Sequence, residues 1–279
     1  GNVSRSGIVA MASSLDQVGP IGKTVRDVEI LYDATNGYDT NDSTSIPKEK
    51  RTVSITNKKR LGVPRDFLKG DGITADVLKN FEESCKKLTD EGYELVDVSL
   101  PLIKYSLAVY YIIQPAEVSS NLARYDGMRY GMSTPADTLY DVYAKTRGKG
   151  FGKEARRRIL LGTFILSHGY YDAYYNKAVA VRESIKAELA HVFEDVDAII
   201  TPTVPFPPFK FGEKSKDPIA MYMSDLFTVP ANIAQHPAIS IPSGKNAEGL
   251  PLGVQFIGPR FGEEKLFSLG EVVESVRKE

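Results

Sequence analysis

With 279 residues, 42% of them hydrophobic and 25% charged, the chain has the length and apolar content for one large core or two smaller ones, which excludes intrinsic disorder. The formal net charge of -1 leaves no broad positive field to draw in nucleic acid, and a single cysteine, Cys85, excludes an internal disulfide framework. No apolar run reaches the roughly 18 residues of a membrane span, and the first residues lack the charged-then-apolar order of a secretory signal, so a cytoplasmic location without membrane attachment is expected.

The first helix is predicted over Val25 to about Thr35, because Thr24 is followed three residues later by Asp27 in a capping pattern and Val25, Val28, Ile30 and Leu31 supply apolar positions. Asp39 to Lys50 carries Asp, Asn, Ser, Thr and Pro without periodicity and reads as a surface loop, which the charged stretch Lys48 to Arg60 extends. Arg60 to Pro64 then reads as a buried strand, Thr74 to Glu91 as an amphipathic helix through Val77, Phe81 and Leu88, and Tyr93 to Leu100 as a second strand. Such a βαβ unit implies parallel pairing and a right-handed crossover. Leu102 to Arg124 is predicted helical, ending at the polar turn Asp126-Gly127. Lys153 to Phe193 is helical in pattern, with a break near Gly169, where glycine lowers helix propensity.

Val196 to Ile200 is a short apolar strand, and Pro202 to Phe211 is a proline-rich loop. Ile219 to Ile233 reads as a helix that Pro230 should kink or shorten. Ala238 to Pro242 and Leu252 to Ile257 are strands about a glycine-containing loop, and Glu263 to Arg277 is a terminal helix. Alternating strands and helices indicate an α/β fold with a mixed β-sheet core covered by helices.

Most short motifs offer no chemistry of their own. Ser84-x-x-Lys87 and Ser45-x-x-Lys48 share a spacing with some serine acyl-enzymes, but the companion elements are missing and coincidence is the better reading. His168, His191 and His236 are too scattered for a metal site, and no phosphate-cradling glycine loop is present, so neither a metal nor a cofactor is expected on this chain. Cys85, on a helix among lysines, is best read as a small packed side chain. The basic segments Lys48 to Arg51 and Lys58 to Arg60 lack interleaved aromatics and read as solvated charge. Tyr170 to Tyr175 reads as core or subunit-interface packing.

Five blocks stand out in order: Ser13-Ser-Leu-Asp-Gln-Val-Gly-Pro20, Arg157-Arg-Ile-Leu-Leu-Gly-Thr-Phe164, Gly169-Tyr-Tyr-Asp-Ala-Tyr-Tyr175, Ala198-Ile-Ile-Thr-Pro-Thr203 and Gly249-Leu-Pro-Leu-Gly-Val-Gln-Phe-Ile-Gly-Pro259. Together they resemble the amidase signature family over nearly the whole chain. Within it, Tyr110-Tyr-Ile-Ile113, Ser119-Ser-Asn-Leu-Ala-Arg124 and Tyr125-Asp-Gly-Met-Arg-Tyr-Gly131 are most similar to the A subunits of aspartyl/glutamyl-tRNA amidotransferases, which release ammonia from glutamine. The resemblance implies an ATP-dependent conversion of Glu-tRNA(Gln) or Asp-tRNA(Asn), with the amidotransferase subunits B and C as partners. ATP and Mg would sit on a partner subunit, and charged tRNA would be met mainly through it.

The family's serine-serine-lysine triad has no counterpart at its usual spacing here. It is expected upstream of residue 1, which makes residues 1–279 the C-terminal portion of a single amidase domain, inactive alone. The glutamine-binding residues implied by the resemblance are Tyr110, with Tyr111 beside it as the alternative, Arg158 for the α-carboxylate and Asp225, in Met221-Tyr-Met-Ser-Asp-Leu226, for the α-ammonium. A planar guanidinium suits a carboxylate because it makes two parallel charge-assisted bonds. Without the resemblance, Arg156-Arg157-Arg158 would read as a solvated helix face. Two rival functions stay open at this stage: a stand-alone amidase acting on another small amide, which would need neither Arg158 nor Asp225, and a non-catalytic scaffold.

Overall fold

The computed structural model describes residues 1–52, 57–70, 72–214 and 221–277. Its chain divides into two compact units: residues 1–6, 17–107 and 182–279 form the first, and residues 7–16 and 108–181 the second.

The first unit is built on a five-stranded sheet: β1 (Arg60–Val63), β2 (Glu94–Asp97), β3 (Ala198–Pro202), β4 (Ala238–Lys245) and β5 (Pro251–Ile257), in the order β2-β1-β3-β5-β4. β1 pairs in parallel with β2 and β3, while β5 pairs antiparallel with β3 and β4, so the sheet is mixed as its pattern implied. β3, at the centre, is buried at every position, which is why it reads as an unbroken apolar run. It lies two residues later than the pattern suggested and includes Pro202, which pairs antiparallel with Val254 at the strand's end.

Helix α1 (Val25–Thr35) begins at the capping box its sequence announced, with the Thr24 hydroxyl accepting from the Asp27 amide at 3.1 Å and the Asp27 carboxylate accepting from the Thr24 amide at 3.0 Å. Helix α2 (Ala75–Asp90) completes the βαβ unit and buries Phe81, Cys85 and Leu88 in the sheet core, with Val77 also buried. The carboxyl-terminal α-helix, Glu263–Val276, packs so closely on α1 that a Cβ at Gly270 would stand 2.8 Å from Val25. Phe256, Phe227, Ile200 and Leu61 are fully buried in this core.

Further helices are α3 (Ser106–Asn121), α4 (Leu139–Gly150), α5 (Lys153–Ile165), α6 (Lys177–Val192) and α7 (Val229–Ala234), and the terminal helix is α8. A π-helical turn, Tyr171–Asn176, joins α5 to α6 after Gly169, whose φ of +84° breaks the helix where its sequence said it would. Of the helix read from Ile219 to Ile233, Met221 and Tyr222 are helical, and a 3₁₀ turn, Met223–Asp225, separates them from the six-residue α7, so the run is shortened as Pro230 implied. Pro230 sits in the first turn of α7, where no amide hydrogen is required, and residues 219–220 lie outside the described residues. α4 was not legible from apolar periodicity.

The loop from Asp39 to Lys50 is more organised than a solvated surface loop. Asp42 is buried and accepts hydrogen bonds from the Arg5 and Thr44 amides at 2.9 Å each. Burial pushes its carboxyl pKa up, but the Arg5 and Thr44 hydrogen bonds outweigh that and hold it well below the usual carboxylate range.

Candidate functional site

In the second unit, α3 and α5 meet backbone to backbone. A Cβ on Gly162 would stand 1.8 Å from the Pro115 carbonyl oxygen and 2.8 Å from Ser119 Cβ, so only glycine permits this approach. Pro115 lies inside α3 and has no amide hydrogen to give the Tyr111 carbonyl one turn back. One turn back along both helices from this contact stand Arg158 on α5 and the Tyr110-Tyr111 pair on α3.

Arg158 keeps only 20% of its side chain exposed, and its Nε donates to Glu154 Oε1 at 2.9 Å. Burial pulls its pKa down, but the Glu154 hydrogen bond and charge, with the Tyr110 and Tyr111 phenols, raise it above the ordinary value, so the guanidinium stays cationic. The two tyrosine rings meet edge to face, centroids 5.1 Å apart at 84°, and both are half-buried. The structure thus brings Arg158, Tyr110 and Tyr111 together and removes Arg158 from the solvated face that its arginine run alone would suggest. Gln114, one turn from Tyr110, is 3% exposed, and its side-chain carbonyl finds no hydrogen-bond partner among the described residues.

The opening block, Ser13 to Pro20, is tied to α3. The Ser14 amide donates to Glu117 Oε2 at 2.9 Å, and Asn121 Nδ2 donates to the Met11 carbonyl at 3.1 Å and to Ser13 Oγ at 2.9 Å. Asp16 accepts from the Met11 and Ala12 amides at 2.8 and 3.0 Å, closing this loop on itself.

Asp225 belongs to the first unit, at the end of the 3₁₀ turn Met223–Asp225, where it is half-buried and its carbonyl accepts from the Thr228 amide at 3.2 Å. Gln255, from the Gly249–Pro259 block, fixes the neighbouring backbone by donating to the Phe227 carbonyl at 2.8 Å and to Thr201 Oγ1 at 3.2 Å. Gln255 is itself 3% exposed, so Gln255→Ala leaves a buried carbonyl unpaired and is expected to cost about 1–3 kcal/mol in urea unfolding. An unchanged midpoint would show that water takes over this bond.

His236 has a structural role. His236 Nδ1 lies 2.9 Å from the Gly258 carbonyl, and burial, reinforced by the Arg260 and Lys186 charges, lowers its pKa to about 4 against the opposing effect of that hydrogen bond. Folding therefore favours the neutral ring. The contribution is complete above the unfolded-state value near 6.5 and is lost as pH falls toward 4. His236→Gln is expected to flatten the pH dependence of stability over that window by up to about 1.4 kcal/mol per pH unit, read from thermal melts at successive pH values. An equal slope in the variant would assign the dependence elsewhere.

Burial pushes the Cys85 thiol up to about 12, which makes it inert. Ser84 Oγ donates to the Asn80 carbonyl at 2.8 Å and Ser45 Oγ accepts from the Asp39 amide at 3.0 Å, so both Ser-x-x-Lys spacings are structural coincidences. Lys58 and Arg60 pair with Asp195, and the Arg51 Nε donates to the Ile46 carbonyl. Among the described residues no cluster of His, Cys, Asp and Glu could hold a metal, and no helix is long and apolar enough to cross a membrane. Of the Tyr170–Tyr175 aromatics, Tyr170, Tyr171 and Tyr174 are 43%, 41% and 43% exposed and lie outside the core of this chain, which leaves the subunit-interface reading open, while Tyr175 is half-buried. Their spacing in the π-helical turn instead stacks Tyr170 on Tyr174 and Tyr171 on Tyr175 at the surface.

Sequence reasoning named Tyr110, Arg158 and Asp225 but missed Glu154, Gln114 and the Gly162–Pro115 contact. Glu154, four residues before Arg158, was a readable i,i+4 signal.

A family model described as Amidase matches residues 1–267. The chain is 50% identical over 275 residues to the A subunit of the Glutamyl-tRNA(Gln) amidotransferase of Desulfatibacillum aliphaticivorans, covering 97% of this chain and 57% of that protein. It is 50% identical over 281 residues to the protein of the same name from Azorhizobium caulinodans, again covering 57% of it and 98% of this chain. The crystal structure of the Glutamyl-tRNA(Gln) amidotransferase A subunit from Thermotoga maritima superposes with a TM-score of 0.77 at 43% identity, over 99% of this chain and 56% of that one. A 6-aminohexanoate cyclic dimer hydrolase, 17% identical, shares the fold with a TM-score of 0.73 over 99% of this chain and 58% of its own. The chain thus spans little more than half the length of the relatives it matches. Matched over almost all of its residues by the family model and by relatives at half identity, the chain belongs to the amidase family.

Proposed function

We propose that this chain is part of the glutaminase subunit of a tRNA-dependent amidotransferase, which releases ammonia from glutamine for the amidation of Glu-tRNA(Gln) or Asp-tRNA(Asn). The observation that carries this reading is the identity of about one half, over nearly the whole chain, to proteins named as the A subunits of Glutamyl-tRNA(Gln) amidotransferases. The half-buried cation at Arg158 supports it, because a free amino acid substrate brings an α-carboxylate that a neutral amide lacks.

In this reading Arg158 receives the α-carboxylate, Tyr110 or Tyr111 walls it, and Asp225 receives the α-ammonium. Bond cleavage is assigned to the family's serine-serine-lysine triad, placed outside residues 1–279: a serine activated by the lysine through the second serine attacks the side-chain amide, ammonia leaves, and water hydrolyses the acyl-enzyme. The amidotransferase subunits B and C would complete a cytoplasmic heterotrimer, with ATP, Mg and most tRNA contacts on a partner.

The test is a substrate panel for the full-length protein with its partner subunits. Ammonia release is expected from glutamine and not from acetamide or propionamide. Faster release from the simple amides would favour a stand-alone amidase.

A further inference from the structure

Building on the assignment of Arg158 as carboxylate anchor, we propose that Glu154 is a positioning residue for that anchor, which fixes the guanidinium so that its two terminal nitrogens face the ligand. Glu154 Oε1 takes the Arg158 Nε at 2.9 Å, and among the described residues Nη1 and Nη2 of Arg158 make no hydrogen bond. That leaves the paired terminal nitrogens, the edge suited to a carboxylate fork, while the inner nitrogen is tied to the protein.

A carboxylate beside an anion site would ordinarily weaken it. Here Arg157 Nη1 holds the other oxygen, Glu154 Oε2, at 2.7 Å. Two guanidinium groups thus meet the one carboxylate, one on each oxygen, so the charge of Glu154 is shared between them and not spent on Arg158 alone. The helix spacing makes this possible: Glu154 lies three residues before Arg157 and four before Arg158, within reach of both. The phenols of Tyr110 and Tyr111, on α3, help keep the same guanidinium cationic.

Orientation by a carboxylate depends on reach rather than on charge, and substitutions separate the two. Glu154→Gln keeps an oxygen at the same distance from Nε but removes the charge. Glu154→Asp keeps the charge, and its favourable effect on the first turn of α5, but withdraws the oxygen by one methylene. Releasing a long side chain that binding must then immobilise weakens binding about two- to tenfold.

The experiment measures ammonia release by the full-length protein with its partner subunits, using glutamine and glutamine α-methyl ester, in which the carboxylate is masked. Glu154→Asp and Glu154→Ala are expected to raise KM for glutamine about three- to tenfold with kcat unchanged, leaving KM for the ester unaltered, while Glu154→Gln stays near wild type. Equal rises for both substrates would make Glu154 a merely structural residue and overturn the proposal. So would a wild-type KM in Glu154→Asp alongside a raised KM in Arg158→Ala. If Arg158→Ala itself leaves the glutamine KM unchanged, the anchor assignment fails first and Glu154 has nothing to position.

Discussion

Gly162→Ala is expected to destabilise the protein by about 2 kcal/mol or more, although helix propensity alone would make it stabilising by about 1 kcal/mol. The decision rests on space. The new methyl would stand 1.8 Å from the Pro115 carbonyl oxygen, a backbone atom that cannot turn aside, so α3 and α5 must separate. Separation moves Arg158 away from Tyr110 and Tyr111, and a raised KM for glutamine should accompany the lost stability. Gly148, in α4, is the internal control, since nothing lies within 4 Å of its added Cβ and Gly148→Ala should gain about 0.5–1 kcal/mol. Thermal melts by circular dichroism of both variants check the pair. Equal shifts would show that the α3–α5 contact is looser than this geometry.

Arg158→Ala in the full-length protein is expected to raise KM for glutamine by about 30-fold or more. Truncating one partner of a largely desolvated, hydrogen-bonded charge pair costs about 2–5 kcal/mol, and each 1.4 kcal/mol is about tenfold. Arg158 is in that regime, with a fifth of its side chain exposed, whereas Arg157 beside it is half exposed at 49%. Arg157→Ala should therefore change KM by less than about threefold, in keeping with an exposed ion pair. Comparable effects from both substitutions would point to a diffuse basic surface instead of an anchor.

Legibility in the sequence followed how local each signal was. The α1 capping box, the βαβ unit and the glycine break at Gly169 are each encoded within a few residues, and the structure shows them where they were read. α4 carries its own cap, with the Thr138 hydroxyl accepting from the Asp141 amide, but Gly148 and Gly150 and its largely exposed surface erase the apolar period that reveals a helix. Pro230 shortens its helix as read, but does so from the first turn of α7. A proline marks a helix interior as broken and a helix start as favoured, and which applies depends on where the helix begins.

The candidate site is a harder case. Arg158 looks like any surface arginine until α3 is laid beside it, and the closeness of that packing depends on Gly162, whose role is invisible without Pro115 opposite. Gln255 is likewise one polar residue in an apolar strand, and only the fold shows that it holds the backbone next to Asp225. The block resemblance supplied Arg158, but not the roles of Gly162 and Gln255, because it carries three-dimensional information that periodicity lacks.

The most direct measurement is ammonia release from glutamine by the full-length protein with its partner subunits, wild type beside Arg158→Ala. Saturable release in the wild type, with the variant needing about 30-fold more glutamine for the same rate, is the predicted result. No release in the wild type, or matching saturation curves for the two proteins, would contradict the assignment of this chain to glutamine recognition.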